Sequence, residues 1–336
     1  MYGCIIRTLA QPSSAESHSL PENEVSTVTD LHVRKMRFAF ADYDVPFLWN
    51  EENPAFSSMA NAVSFLAIGF EKMIVQMISE AKAHITDPAI AEEAIAFVRQ
   101  EGQHSSAHRQ HAKGLIKAYP QLQETLDDVI GAYDKLTAET SLKYRLAYTA
   151  DLEATFTPVF KLMLDNDSTL FQPGDDRVAS LFIWHFVEEV EHRSSALKIF
   201  SSIVGSDVYR MRMAPSIFRH VLHVIKIACE GFNRHVPLDE RKIDALAMFA
   251  SHRRAQHLKK WTPLVSFEDH GPMPRAFDHL PIGEQLTALV GVVRSQLPKH
   301  NPDHEKLPEL ADLWFKRFED GYDVTQWYTA ENAASE

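Results

Sequence analysis

The sequence predicts an all-α protein, a helical bundle with additional helices. Glycine is sparse, with 12 residues in 336, which disfavours β-rich and nucleotide-binding designs. Long segments repeat apolar residues at helical spacing, and prolines or polar turns separate them. Apolar residues make up 45% of the chain, enough to build the sizeable core that such a bundle needs.

The N-terminal half predicts a leader followed by two long helices. Residues 1–30 are rich in Ser, Pro and Glu, which predicts a disordered leader. The aromatic, irregular residues 31–55 are expected to pack against the bundle. We expect a first bundle helix from Phe56 to about Ala83. Asp87-Pro88 is a favourable start for a second helix that runs to about Ala118.

The helices that follow are shorter. A helix over about 120–136 is expected to cross over, and two further bundle helices are expected over about 141–165 and 176–203. An amphipathic helix follows over 207–235, with a kink or a start at Pro215. The remaining chain is helical in pieces broken by prolines. We therefore expect a metal-binding bundle over residues 31–235 and a helical C-terminal extension, 236–336, packed on it.

Four of these helices carry carboxylates and histidines in a repeated order. Residues three or four apart share a helix face, so each Glu-x-x-His pair can reach one point. One Glu from each of two helices and one Glu-x-x-His from each of the other two is the inventory of ferritin-like di-iron and di-manganese bundles. The sequence therefore predicts a ferritin-like four-helix bundle with additional helices and six ligands: Glu71, Glu101, His104, Glu153, Glu189 and His192.

Three glutamates compete for the inward position of the fourth bundle helix. Glu189 lies on an apolar stripe with His192. Glu191 shares a face with Lys198, which predicts exposure to solvent, and Glu188 lies between the two faces. A charge inside an apolar stripe is costly unless it is paired or bound to metal. Glu189 is therefore the predicted ligand.

The ligand types restrict the metal. Mixed carboxylate and imidazole ligands suit iron or manganese, and the lack of thiolates argues against a structural zinc site. We expect two Fe ions, with Mn or a mixed Mn/Fe pair as alternatives. For any single Glu-x-x-His pair, exposed charges and core histidines remain the alternative interpretation.

A further histidine extends the pattern. His185 lies one turn before Glu189, giving His185-x-x-x-Glu189-x-x-His192. This resembles the para-aminobenzoate N-oxygenase type of di-iron enzyme, whose members add a third histidine to the six usual ligands. The resemblance implies that His185 is a seventh metal ligand.

The chain is also similar to a bacterial family of predicted metal-dependent hydrolases. The similarity lies in Asn61-Ala-Val-Ser64 through Gly69-Phe-Glu71, and in Gln100-Glu101-Gly-Gln-His104-Ser-Ser-Ala-His108. It covers about residues 50–205. We nevertheless expect the ligand set to favour oxygen chemistry.

Several polar residues near the predicted ligands leave their roles open. His108 lies one turn after His104 and is a further ligand, a hydrogen-bond partner of a ligand, or a core histidine. Thr157, one turn after Glu153, is either a hydroxyl near the oxygen site or a core threonine. We take His108 and Thr157 as candidate catalytic residues. Asp151 either accepts a hydrogen bond from a ligand imidazole or is exposed. Three more histidines are expected off the metal face: His111, His220 and His223.

The leading functional hypothesis is a di-iron oxygenase that activates O2 to N-oxygenate, hydroxylate or desaturate a small or medium organic substrate. A ferredoxin or reductase would supply electrons, docking on basic residues of the 207–235 helix: Arg210, Arg212, Arg219 and Lys226. A solvated helix face is the other interpretation of those residues. The alternatives are a metal-dependent hydrolase that generates hydroxide at two metals, a ferritin-like iron-handling protein, and a helical scaffold without metal.

Charge and cysteine content restrict partners and location. The formal charge of −12 and the lack of a basic stripe argue against nucleic-acid binding. With two cysteines, Cys4 and Cys229, a disulfide framework is not expected and a cytoplasmic location fits. Segment 207–235 could lie on a membrane, but a docking surface or tunnel wall is the preferred interpretation. A homodimer is a further expectation.

Overall fold

The structure is a computed structural model that describes residues 31–246 and 275–329. Within these two ranges the regular elements are helices, which confirms the predicted all-α class. The predicted leader, residues 1–30, lies outside the described residues, and so does Cys4. Cys229 is buried and free.

Eleven α-helices are present in the described ranges, and short 3-10 turns lie between some of them. Their bounds are α1 (Pro54–Ala81), α2 (Pro88–Ala118), α3 (Leu122–Glu139), α4 (Leu142–Leu164), α5 (Asp167–Leu170), α6 (Asp176–Glu191), α7 (Ser195–Ile203), α8 (Asp207–His235), α9 (Leu238–Arg241), α10 (Ile282–Ser295) and α11 (Glu309–Glu319).

The four helices that carry the predicted ligands begin at side-chain caps. In each, an Asn, Asp or Ser oxygen accepts a hydrogen bond from a backbone N–H in the first turn. Because the first turn of a helix has no intrahelical partners for these N–H groups, such caps fix where the helix starts. The caps are Asn53 for α1, Asp87 for α2, Ser141 for α4 and Asp175 for α6. Proline at the first position of α1 and α2 reinforces the start.

The core lies among α1, α2, α4 and α6. Helix α1 packs against α2 and α4, and α6 packs against α4 and α2. Helices α3 and α8 cover α1, and α7 packs against α4 and α2. One face of α1 is buried along most of its length, from Ala60 to Ile78. The ligand-bearing faces of four helices therefore point into one core.

The predicted fourth helix is not continuous. Helix α6 ends at Glu191, and α7 begins at Ser195. His192 closes the last turn of α6, since its N–H bonds to the carbonyl of Glu188 at 3.0 Å. The Arg193 side chain donates to the carbonyl of Val190 at 2.7 Å. In a continuous helix a backbone N–H one turn later would bond to the Val190 carbonyl. The Arg193 side chain takes its place, so this carbonyl stays hydrogen-bonded at the break.

Prolines do not end the helices in which they occur. Helix α8 begins at Asp207 and runs through Pro215, so the alternative of a helix start at this proline is wrong, and the kink stays a prediction. Helix α4 contains Pro158, one residue after Thr157. Gly291 of α10 faces that proline, where a Cβ atom at Gly291 would lie 2.6 Å from the Pro158 Cβ. Glycine thus permits the close approach of α10 to α4.

The segment after α9 joins the bundle at several points. Helix α10 packs on α4, and α11 packs on α6. Arg210 of α8 forms a buried ion pair with Asp151 of α4 at 2.8 Å and also donates to the carbonyls of Ser295 and Leu297. Arg210 is 1% exposed, so the expectation that it forms part of a docking surface is wrong. Asp151 is buried, so the alternative that it is exposed is also wrong.

One helix of the described ranges is long and apolar enough to cross a membrane by length and composition alone. It comprises α1 and the turn after it, residues 54–84, and 67% of its most apolar window is buried inside the protein. A core helix of a water-soluble protein has the same properties, and Glu71 lies in its middle. The cytoplasmic location stays a prediction.

Candidate metal centre

All seven predicted ligands are buried in one cluster at the centre of the bundle. Each is at most 3% exposed. The cluster draws one or more side chains from each of the four core helices, and α6 and its C-terminal residue supply three. The members are Glu71 from α1, Glu101 and His104 from α2, Glu153 from α4, and His185, Glu189 and His192 from α6 and its end.

Glu189 lies at the middle of the cluster. Its Oε1 is 2.8 Å from His185 Nε2, 3.5 Å from His104 Nδ1 and 3.8 Å from His192 Nε2. Burial opposes ionisation of Glu189, but the facing imidazoles outweigh it and hold the pKa of this carboxyl well below its ordinary value. Glu189 is therefore the carboxylate of the cluster best suited to hold a cation.

His104 is fixed by a carboxylate on its far side. Its Nε2 bonds to Glu188 Oε2 at 2.9 Å, while Nδ1 points to Glu189. Burial opposes protonation of His104, but the carboxylates of Glu101, Glu188 and Glu189 outweigh it and raise the pKa of this imidazole well above its ordinary value. A cation at the cluster would therefore displace a proton from Nδ1 and leave the N–H on Nε2, which faces Glu188. An outer carboxylate that orients an imidazole in this way is a regular feature of metal sites. Glu188 in turn accepts from Arg34 at 3.0 Å.

Glu188 and Arg34 were not predicted as part of the site. Glu188 was assigned to a position between the inward and solvent faces, but it is fully buried. The burial of Glu188 could have been predicted from its position, because it lies next to the apolar stripe of a helix that packs against neighbours on two sides. Arg34 comes from the irregular segment before α1 and pairs with Glu191 as well. Glu191 is half-buried, so it is less exposed than expected.

The ring of His192 lies between two carboxylates of neighbouring helices, Glu101 of α2 and Glu153 of α4. Its Nε2 lies 3.4 Å from Glu101 Oε1, and its Nδ1 lies 3.6 Å from Glu153 Oε2. Both distances are too long for good hydrogen bonds. Neither nitrogen has a hydrogen-bond partner among the described residues. Because His192 closes α6, the break before α7 sets the direction of this ring.

A line of hydrogen bonds leads away from His185. His185 Nδ1 lies 2.8 Å from His108 Nε2. Ser64 Oγ bridges His108 Nδ1 and His111 Nδ1, at 2.8 Å each. Burial lowers the pKa of His111 to about 3 and that of His108 well below its ordinary value. These rings are therefore neutral, and they orient His185 without adding charge. Of the roles left open for His108, this geometry favours a hydrogen-bond partner of His185.

The polar atoms of the cluster fit a bound metal. Buried polar groups are nearly always hydrogen-bonded, yet atoms of six cluster residues have no hydrogen-bond partner among the described residues. They are Glu71 Oε2, both oxygens of Glu101, His104 Nδ1, both oxygens of Glu153, Glu189 Oε2, and both nitrogens of His192. Oxygen and nitrogen donors left free at one buried point are what a divalent cation requires.

Two subsets place potential ligand atoms within 4.8 Å of one another. One contains Glu101, His104, Glu189 and His192, and the other contains Glu71, His108 and His185. In the second subset His108 is hydrogen-bonded to His185 through a ring nitrogen. That bond occupies a ring nitrogen of each histidine, but His185 Nε2 also faces two cluster carboxylates, Glu189 at 2.8 Å and Glu71 at 3.7 Å. Glu153 falls in neither subset but faces His192.

The carboxyl groups repel one another in the absence of a cation. Burial raises the pKa of Glu71 and Glu153 well above the ordinary value and raises that of Glu101, and neighbouring carboxylates add to each shift. Burial also lowers the pKa of His185 to about 4, with a contribution from His104. A bound cation would reverse the carboxyl shifts, since it stabilises the ionised form.

An apolar cavity of about 230 Å³ opens onto the cluster. Glu71, His185 and Glu189 line one part of it, and apolar side chains of α1, α4 and α8 line most of the rest. A larger groove of about 470 Å³ between α4 and α10 contains none of the cluster residues. We take the smaller cavity as the approach to the site because it alone of the two reaches the cluster.

The remaining candidates fall into two groups. Thr157 is buried on α4, one turn after Glu153, and its hydroxyl has no hydrogen-bond partner among the described residues. His220 bonds instead to Tyr148 at 3.0 Å, away from the cluster, as expected for a packing residue. Asp151 is paired with Arg210 and not with a ligand imidazole. Burial raises its pKa to about 6 against the opposing effect of that arginine.

Fold and site together define an all-helical protein with a buried carboxylate–histidine centre suited to metal. The chain belongs to the family of predicted metal-dependent hydrolases, whose sequence profile matches residues 32–275. This match extends beyond the local similarity over residues 50–205. Searches of curated proteins and of solved structures returned no match.

The family corrects the predicted enzyme class. It points to a hydrolase, so the prediction of an oxidoreductase is wrong, and the hydrolase alternative fits better. The comparisons give no support to the resemblance to para-aminobenzoate N-oxygenases. Dependence on metal is supported by the family and the cluster, whereas iron as the metal is not. The ferredoxin or reductase partner was a consequence of the oxygenase hypothesis and has no separate support.

Proposed function

We propose that this protein is a metal-dependent hydrolase with its active site at the Glu189 cluster. The observation that carries the proposal is the set of buried carboxylate and imidazole atoms without hydrogen-bond partners, beside a cavity large enough for a substrate. Membership of the predicted metal-dependent hydrolase family supports the same class. The proposal concerns a di-metal site, although one metal would meet the same chemical requirement.

The residues that would hold divalent cations are the seven of the cluster: Glu71, Glu101, His104, Glu153, His185, Glu189 and His192. Divalent cations held there would supply Lewis acidity, which lowers the pKa of water and polarises a carbonyl or phosphoryl oxygen.

The surrounding residues hold the ligands in place. Glu188 keeps the proton of His104 on Nε2, so that Nδ1 faces the cluster. His108 and Ser64 orient the ring of His185 in the same way. The Thr157 hydroxyl has no hydrogen-bond partner among the described residues and does not line the cavity, so we assign it no contact with the substrate. The apolar walls of the cavity exclude bulk water, which strengthens these electrostatic contacts.

The test is metal content and hydrolysis measured on the same preparation. The full-length protein is loaded separately with Mn²⁺, Fe²⁺ and Zn²⁺, and bound metal is measured by elemental analysis. Hydrolysis of ester, amide and phosphoester probes is then followed without O2 and without a reductant. We expect about two metals per chain and hydrolysis of at least one probe class.

The control separates the site from the rest of the protein. Glu189→Gln removes a charge at the centre of the cluster, whereas Glu139→Gln removes one from the exposed end of α3. We expect loss of metal and of hydrolysis only in the first variant. Two bound metals together with probe hydrolysis no faster in the wild type than in Glu189→Gln would refute the proposal.

A further inference from the structure

The cavity beside the cluster has a pronounced division between a polar end and apolar walls. Glu71, His185 and Glu189 form the polar end. The walls consist mainly of aliphatic and aromatic side chains, among them Val159 of α4 and Val221 of α8. No lysine, arginine or aspartate lines the cavity among the described residues. The substrate therefore meets charge at one end only.

This division restricts the substrate. A charged or strongly polar group in the walled part would lose its hydration without gaining partners. An apolar group there gains affinity with each methylene that it buries. At about 230 Å³ the cavity is smaller than the ~300–1,000 Å³ typical of pockets for drug-sized ligands. These properties suit a single hydrocarbon chain.

We propose that the cavity holds the apolar acyl chain of an ester or amide, with the acyl carbon at the Glu71–His185–Glu189 end. In the reaction the oxygen of water bonds to the acyl carbon, and the bond from that carbon to the leaving oxygen or nitrogen breaks. The leaving group departs as an alcohol or amine after taking up a proton, and a carboxylic acid remains. This inference names the substrate class of the proposed hydrolase and rests on that function.

Binding can be measured without any turnover. Acetate, hexanoate and decanoate share the carboxylate product group and differ only in chain length. Titration calorimetry of the metal-loaded full-length protein is expected to give a Kd that falls about fourfold per added methylene, the equivalent of about 0.8 kcal/mol per buried methylene, until the cavity is full. Equal Kd values for acetate and decanoate would overturn the inference.

Two neighbouring residues on α8 provide a matched pair of variants. Val221 lines the cavity, whereas Leu222 is 65% exposed. Val221→Phe fills the cavity and is expected to weaken decanoate binding at least tenfold while leaving acetate binding unchanged. Leu222→Phe is expected to change neither. Val221→Ala, which enlarges the cavity, is expected to shift the preference to longer chains, so the inference remains testable if Val221→Phe does not fold.

The outcomes of these experiments test the acyl-chain inference separately from the proposed hydrolysis. Chain-length-dependent binding that Val221→Phe abolishes supports the apolar site even if no ester or amide is hydrolysed, and the proposed hydrolysis then fails alone. Hydrolysis that is equally fast for acetyl and decanoyl esters, with no effect of Val221→Phe, overturns the acyl-chain inference while the hydrolase stands.

Discussion

Two adjacent glutamates at the end of α6 differ in what they contact. Glu189 faces the imidazoles of the cluster, whereas Glu188 faces outward from the cluster and holds His104. Both are buried, so burial alone does not separate them. The direction of each side chain assigns Glu189 to the proposed metal and Glu188 to the orientation of a ligand.

Glu188→Gln is predicted to weaken metal binding without removing a ligand. Glutamine lacks the charge that holds the N–H of His104 on Nε2, and loss of such an outer partner costs about 10–100-fold in metal affinity. Glu191→Gln is the matched control, since Glu191 also bonds to Arg34 but does not touch His104. Competition titration with a chromophoric chelator measures both. Equal losses in the two variants would assign the effect to Arg34 instead.

At the scale of single residues, the sequence predicted which side chains are buried better than it predicted which side chains they contact. Helical spacing placed all seven predicted ligands on buried faces, because periodicity reports which side of a helix meets the core. It failed for Arg210, which was assigned to a docking surface or a solvated face, and for Asp151, which was expected to accept a hydrogen bond from a ligand imidazole or to be exposed. The partner of each comes from a distant part of the chain, and spacing within one helix carries no signal for such a pair.

At the scale of elements, the approach of α1 to α3 depends on one glycine. A Cβ atom at Gly69 would lie 2.5 Å from Cδ2 of Tyr133, whose ring is buried against α1. Gly69 lies two residues before Glu71, so this contact also sets the depth of a proposed ligand. By contrast, a Cβ at Gly102 of α2 would meet nothing within 4 Å.

The two glycines are predicted to respond oppositely to alanine. Gly69→Ala forces Tyr133 aside and is expected to lower the free energy of unfolding by about 1–3 kcal/mol. Gly102→Ala is expected to raise it by about 0.5–1 kcal/mol, because alanine is favoured over glycine inside a helix. Urea unfolding in the presence of a chelator measures both without a contribution from metal. A stabilised Gly69→Ala variant would contradict the contact.

The helix boundaries show where local signals suffice. The start of α2 was predicted from the local signal Asp87-Pro88. Helix α1 begins two residues before the predicted Phe56, at Asn53-Pro54, which is a local signal of the same kind. The break between α6 and α7 was missed. Its backbone is satisfied by the Arg193 side chain, which also reaches the carbonyl of Pro302 in the C-terminal segment. Such a break depends on tertiary contacts that apolar periodicity does not report.

At the scale of the whole molecule, metal binding and stability are expected to be linked to pH. The pKa values of Glu71, Glu101 and Glu153 are raised in the metal-free fold by burial, and a metal requires these groups ionised. Binding therefore releases protons. The metal-loaded protein is expected to have a higher Tm than the chelator-treated protein, and the difference is expected to shrink as pH falls from neutral toward the raised carboxyl pKa values.

Calorimetric metal titration in buffers with different ionisation enthalpies measures the protons released. The pKa of Glu189 is lowered, so this group is already ionised and contributes none. Scans of the chelator-treated protein at each pH provide the control. A Tm difference that is independent of pH, with no proton release, would mean that the cluster carboxyls are not the ligands.

The sequence by itself determined the helical class, the approximate helices and the faces that turn inward. These properties follow from local periodicity and capping, which act within a few residues of one another. The family also follows from the sequence, since residues 32–275 match it directly. The oxygenase hypothesis failed because these metal ligands are compatible with more than one reaction.

Only the tertiary structure decided what surrounds the ligands. In the structure Glu188 is hydrogen-bonded to the far side of His104. His185 is hydrogen-bonded to His108, which is hydrogen-bonded to Ser64, and an apolar cavity lies at one side of the cluster. Each of these features joins side chains far apart in the chain, across two or more helices. Their relation depends on how the helices pack, and helix packing is set by the shapes of all the contacting side chains together rather than by the spacing within any one helix.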